Sequence, residues 1–167
     1  MKRIIAAAAL AVLSTCTMAD RAEDVIGRRV DDGVFVVTNE FATGGNVAQH
    51  AHFAEYLMRN NIKTEVRTRL CRSSCIYFLM PQDVCTDPRT IYEMHSVRHI
   101  AATIAWAPIA WERGNRVVAD DLNNRWPGLG DDFLKYAANK HGNNVWKRTG
   151  VQMHNNYGVP LCDDRSD

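Results

Sequence analysis

Nowhere does this chain carry twenty apolar residues in succession, and it has no CxxC pair, internal repeat or low-complexity tract. A membrane-crossing helix needs about 20 such residues, so an integral span outside the leader is excluded. The missing repeat excludes solenoids and propellers, and without a CxxC pair or matching histidine spacing no common zinc module is written here. An excess of charge is missing too, with 20 Lys and Arg against 19 Asp and Glu. Nucleic acid and anionic membrane surfaces need clustered basic charge, so neither is expected as a partner. Proline is scarce at 5 residues and glycine modest at 10, which sets the chain apart from disordered or collagen-like polymers. What remains is a chain of 167 residues, enough for one domain with its own hydrophobic core.

The first nineteen residues have a different character. Met1-Lys2-Arg3 is cationic, Ile4 to Leu13 is apolar, and small or polar residues from Ser14 to Ala19 precede the first acid at Asp20. This order is that of a secretory signal peptide, with cleavage expected after Ala19 and a domain running from residue 20 to 167. A second reading takes Leu13-Ser14-Thr15-Cys16 as a lipoprotein box, in which Cys16 would carry lipid. Loss of Lys2 and Arg3 leaves 18 basic against 19 acidic side chains, a balance near minus one. The short cationic leader points to export, with a bacterial periplasm as the expected compartment. Cys71, Cys75, Cys85 and Cys162 then remain, an even number that favours disulfides in an exported chain. Of the three possible pairings, sequence leans toward Cys85 with Cys71 or Cys75, because a bridge four residues apart would strain a helix.

Hydrophobic periodicity predicts a buried strand over 33–38, a loop over 39–45 and a helix over 46–60. A strand follows over 63–70, completing a strand, glycine loop, helix, strand unit whose two strands run parallel. Residues 74–80 read as a short buried helix stopped by Pro81, and Thr90 to Met94 as a strand that ends at His95. Residues 100–111 form an apolar cover or broken helix, 117–124 and 131–140 read as helices, and 150–167 as a turn-rich tail.

Chemistry concentrates in Cys71-Arg72-Ser73-Ser74-Cys75. Ser73 lies 28 residues after Gly45 and 22 before His95. A serine in a sharp turn between strand and helix projects its hydroxyl from the sheet edge, and the next residue's N–H points into the same space. A glycine loop supplies a second N–H. Ser73 is therefore the candidate nucleophile and His95 the candidate base, with the amides of Gly45 and Ser74 as oxyanion-hole donors. Taken alone, Ser73 would be a helix cap, Gly44-Gly45 an ordinary turn, and His95 a lone imidazole with His99 as competitor. His50 and His52 point about 200° apart on a helix, so a shared metal is not expected and one or both should be solvated. Trp106, Trp111, Trp126 and Trp146 fit core or interface packing, or a substrate groove.

Thr43-Gly44-Gly45, the helix after it, the Cys71 to Cys75 turn and His95 together resemble the proteolytic subunit of the Clp protease. More narrowly they resemble exported members of the Clp/crotonase superfamily, with their Gly-Gly loop, Cys-x-Ser-Ala-Cys turn and strand ending in histidine. The resemblance spans residues 34–95. It implies an α/β fold of stacked βαβ units, truncated here at the N-terminus, with serine peptidase chemistry and frequent homo-oligomeric assembly. It assigns nucleophile to Ser73, base to His95 and oxyanion donors to Gly45 and Ser74, requires no cofactor or metal, and implies a peptide or ester substrate. The chain departs from the family pattern at Ala42-Thr43 before the glycines and at Ser74 in place of alanine. The acidic triad member falls in no recognisable motif, with Asp131, Asp132, Asn143 and Asn144 as the downstream residues on offer. The alternative is an inactive Clp-like fold that serves as a binding or assembly module for a protein partner. A third class, an exported redox or metal protein using the cysteines, would announce itself by free thiols or bound metal.

Overall fold

The structure is a computed structural model and describes residues 22–96, 107–137 and 145–163. A helical turn, α1, spans residues 22–26, and the short hairpin β1 (Val30–Asp31) and β2 (Val34–Val36) follows it. After a single turn of helix, α2 (Asn39–Ala42), the chain enters α3 (Val47–Arg59) and then β3 (Lys63–Val66). Strand β4 (Leu70–Arg72) runs into a 3-10 helix over Ser73–Leu79, followed by β5 (Val84–Thr86) and β6 (Ile91–Met94). The remainder is α4 (Ala107–Arg125), α5 (Leu129–Ala137), β7 (Trp146–Thr149) and α6 (Gly150–Tyr157).

Two sheets share the work. The first has the order β1-β2-β3-β5, with β2, β3 and β5 mutually parallel; the second has the order β4-β6-β7, with β4 and β6 parallel and β7 antiparallel. The unit expected from sequence, strand to glycine loop to helix to parallel strand, is β2 to α3 to β3, in register Phe35 with Thr64. Helix α3 forms where it does because Asn46 caps it, its side chain accepting from the Gln49 N–H at 3.3 Å. Its buried face is His50, Phe53, Ala54 and Leu57, the spacing of a helix stripe. That stripe packs on the 3-10 helix, where Phe78 is flanked by Phe35, Phe41 and His50 at ring separations of 5.5 to 5.8 Å.

Several local expectations need correction. The segment 39–45 holds the helical turn α2 and is not all loop. The strand expected over 63–70 is two strands in two sheets; between them the Thr68 hydroxyl donates to the Leu70 carbonyl at 3.2 Å, the kind of local bond that competes with a ladder. The tail is more ordered than its turn residues suggest. Thr149 and Gln152 form a reciprocal capping box that starts α6, and Gly158 ends it at φ 77°. Cys71 bridges Cys75, and Cys85 bridges Cys162, contrary to the expected use of Cys85. The short bridge is accommodated because Cys71 lies in extended β4 and the helix begins only at Ser73. The longer one works with the pairing of Thr86 N–H to Pro160 O and Cys162 N–H to Thr86 O, which lays the tail along β5.

Among the described residues, no helix is long and apolar enough to cross a membrane. The leader, His99, Trp106, Asn143 and Asn144 lie outside them.

Candidate functional site

Strands β4 and β6 lie side by side and parallel, in register Leu70 with Ile91, Cys71 with Tyr92 and Arg72 with Glu93. Both therefore deliver their next residues to the same carboxyl edge of the sheet, Ser73 from one and His95 from the other. Charges bridge the paired strands at this edge. Glu93 receives Arg72 Nε from β4 at 3.0 Å and Lys147 Nζ from β7 at 2.6 Å. Hydrogen bonding from Lys147, aided by Arg72, holds the Glu93 carboxyl below its usual range despite partial desolvation.

At the end of β4 the backbone turns sharply. Arg72 is extended at φ −108° and ψ 143°, whereas Ser73 has φ 55°, a left-handed conformation uncommon for a residue with a Cβ. Non-glycine residues in this region cost of order 1–3 kcal/mol and collect at functional sites. The Cys71–Cys75 disulfide spans the turn from both sides. Ser74 is the second residue of the 3-10 helix, where amides have no intrahelical partner.

The glycine loop comes up against this turn from the other sheet. Gly44 has φ 75°, and a Cβ there would sit 2.4 Å from Arg72 O, 2.8 Å from Ser73 Cβ and 3.2 Å from Ser74 N. No side chain fits in that space, so glycine is required by both conformation and contact. Gly45, at φ 149°, follows with its N–H free of any acceptor among the described residues.

Ser73, Ser74, Gly45 and His95 line one cleft of about 90 Å³. Its apolar wall includes Met94, Val118 and Phe133, from β6, α4 and α5. Val118 and Phe133 carry no local sequence signal, because their helices lie far from the motif in the chain; Met94 directly precedes His95 on β6. Ser73 is half-buried and His95 exposed. No direct hydrogen bond joins the two among the described residues. His95 Nδ1 lies 2.9 Å from the Ser96 carbonyl oxygen. A carbonyl only accepts, so Nδ1 carries the proton and Nε2 is left as the basic atom.

No acidic side chain pairs with His95 among the described residues. Asp132 is spent elsewhere, its Oδ2 accepting from Trp146 Nε1, Arg148 Nη2 and Tyr157 OH. These bonds outweigh its desolvation and hold its carboxyl below the ordinary range. Asp131 accepts from Asn123 Nδ2 at 2.9 Å. Tyr77, on the cleft wall, donates to Asp121 at 3.0 Å.

His50 is the residue whose place differs most from expectation. It is 5% exposed, not solvated, because position 50 belongs to the buried stripe of α3; His52 is the half-exposed one of the pair. Its Nδ1 lies 3.1 Å from Ser74 Oγ and 3.1 Å from Asn46 O. Burial pushes the imidazole below its ordinary pKa, against the opposing pull of the Asn46 carbonyl and, more weakly, of the Phe41 carbonyl nearby.

No protein-family model matches this chain, and no curated protein sequence matches it. Among solved structures it is similar to a point mutant of ClpP1 from Listeria monocytogenes, with a TM-score of 0.62 at 10% identity. The match covers 89% of this chain and 84% of that one. At such identity the likeness establishes the fold, which is Clp-like, with helices and mixed sheets in stacked βαβ units.

Proposed function

We propose that this protein is an exported serine-type hydrolase built on a Clp-like fold. The observation that carries the reading is the common cleft, to which Ser73, His95, Gly45 and Ser74 come from three separate segments. In this reading His95 Nε2 takes the proton of Ser73 Oγ as the oxygen attacks the substrate carbonyl. The amides of Gly45 and Ser74 stabilise the oxyanion, and the proton passes from His95 to the leaving group. Water then releases the acyl group by the same steps in reverse. The Ser96 carbonyl orients the ring without supplying the negative charge a carboxylate would add, so turnover is expected to be slow.

The apolar wall of Met94, Val118 and Phe133 favours peptide or ester bonds flanked by an apolar group. Neither a metal nor a nucleotide has a part in these steps. Two disulfides are compatible with export, and the resemblance read from the sequence suggests self-assembly. Hydrolysis of short-chain nitrophenyl esters by the purified protein, abolished in Ser73→Ala, tests the reading; equal rates in the two would overturn it.

One observation favours a second reading. The absence of a carboxylate at His95 among the described residues fits a catalytically silent relative that uses the cleft to bind a protein partner. Esters left intact by the wild-type protein would select that reading.

A further inference from the structure

His50 reaches both halves of the candidate oxyanion hole. Asn46, whose carbonyl it touches, directly follows Gly45 in the glycine loop; Ser74, whose hydroxyl it touches, contributes the other amide. Both contacts are made by the same ring atom, Nδ1, at 3.1 Å. The Asn46 carbonyl can only accept, so the ring proton sits on Nδ1, and Ser74 Oγ accepts from the same N–H. The opposite nitrogen, Nε2, is buried with no hydrogen-bond partner among the described residues. An unsatisfied buried acceptor is a cost that native structures seldom carry without reason. Leucine or alanine in the 50, 53, 54, 57 stripe would bury the same face without it.

We propose that His50 is a positioning residue that clasps the glycine loop to the serine turn and so sets the spacing of the Gly45 and Ser74 amides. The idea rests on the hydrolase reading for its catalytic consequence, though not for its geometry. Three features support the clasp. The imidazole lies between the two loops, with Cε1 3.7 Å from the position a Gly45 Cβ would take. It is locked in place by Phe53 and Phe78, at ring separations of 6.1 and 5.6 Å. Burial lowers its pKa and so favours the neutral ring, the form with a single N–H donor.

The side-chain geometry gives a sharp test. Asparagine places its amide nitrogen where histidine has Nδ1, and with two N–H groups it can serve both acceptors. Glutamine reaches to the level of Nε2 and leucine donates nothing. His50→Asn, His50→Gln and His50→Leu are compared with wild type for the rate of fluorophosphonate labelling at Ser73. Unfolding midpoints identify any variant that has lost its fold. Expected are labelling within about threefold of wild type for His50→Asn and a loss of roughly tenfold to a hundredfold for His50→Leu and His50→Gln, below or at the size of removing one oxyanion donor. The loss should fall on the maximal labelling rate and leave the reagent concentration for half-maximal rate unchanged. Folded His50→Leu labelled at the wild-type rate would overturn the clasp.

Should wild type itself resist labelling, the hydrolase reading fails and amide hydrogen exchange decides the clasp alone. Exchange at Gly44, whose N–H is bonded to the Phe41 carbonyl within the glycine loop, should quicken by about tenfold in His50→Leu and hold in His50→Asn. Equal exchange in all three proteins would contradict it.

Discussion

Gly44 is pressed so closely on Ser73 that a methyl group added to the glycine would stand 2.8 Å from the serine Cβ. Two loops from different sheets meet at this point, and the closeness is possible because one of them has no side chain. Gly44→Ala should therefore cost about 2–4 kcal/mol, from a strained left-handed conformation and from overpacking together. Urea unfolding measures it. Loss of fluorophosphonate labelling is expected under conditions where the variant is still folded, since the amides would be driven apart.

Ser73 holds φ 55° with a Cβ in place. Ser73→Gly and Ser73→Ala both delete the hydroxyl, but glycine also relieves the strain. Ser73→Gly should be the more stable of the two by about 1 kcal/mol, read from paired denaturation curves. Equal stabilities would indicate that the turn stores no strain.

The motif between Gly44 and His95 was legible in sequence because its parts are local: a Gly-Gly pair, a strand-to-helix serine and a strand-terminal histidine. The helix 46–60 was legible for the same reason, with asparagine at each end and an apolar stripe between. Other features were hidden by distance. The partner of Ser74 is His50, 24 residues away, and its burial follows from the 3.6-residue period of the stripe, which a polar residue disguises. The pairing of Cys85 with Cys162 depends on the tail lying along β5, which no local pattern announces. The start of α6 had a signal that could have been read, the Thr149 and Gln152 capping box.

The two disulfides should act differently. Cys85 and Cys162 are 77 residues apart, and removing that bridge should cost about 4.5 kcal/mol by loop-closure entropy; the four-residue span of Cys71 and Cys75 should cost about 2. The shorter bridge holds the serine turn, so Cys71→Ser with Cys75→Ser should slow labelling at Ser73 more than Cys85→Ser with Cys162→Ser does. Thermal unfolding and labelling rates on both double variants check the separation.

Stability should fall in acid in a way that Glu93 reports. Its carboxyl is held low by Lys147 and Arg72, so the folded state gains stability above the unfolded carboxylate range near 4.3 and loses it as pH drops through the lower folded value. Melting temperature followed from pH 7 to pH 2 should decline less steeply below pH 4 in Glu93→Gln than in wild type, from a lower starting value. Parallel curves would show that the β4, β6, β7 charge clamp does not contribute.

The most direct measurement is covalent capture of the nucleophile. Purified wild-type protein is treated with a fluorophosphonate, digested and mapped by mass spectrometry, alongside Ser73→Ala and Ser74→Ala. A single adduct on Ser73, absent from Ser73→Ala and kept in Ser74→Ala, is the predicted result. An unmodified wild type, or an adduct that survives Ser73→Ala, would contradict the hydrolase account.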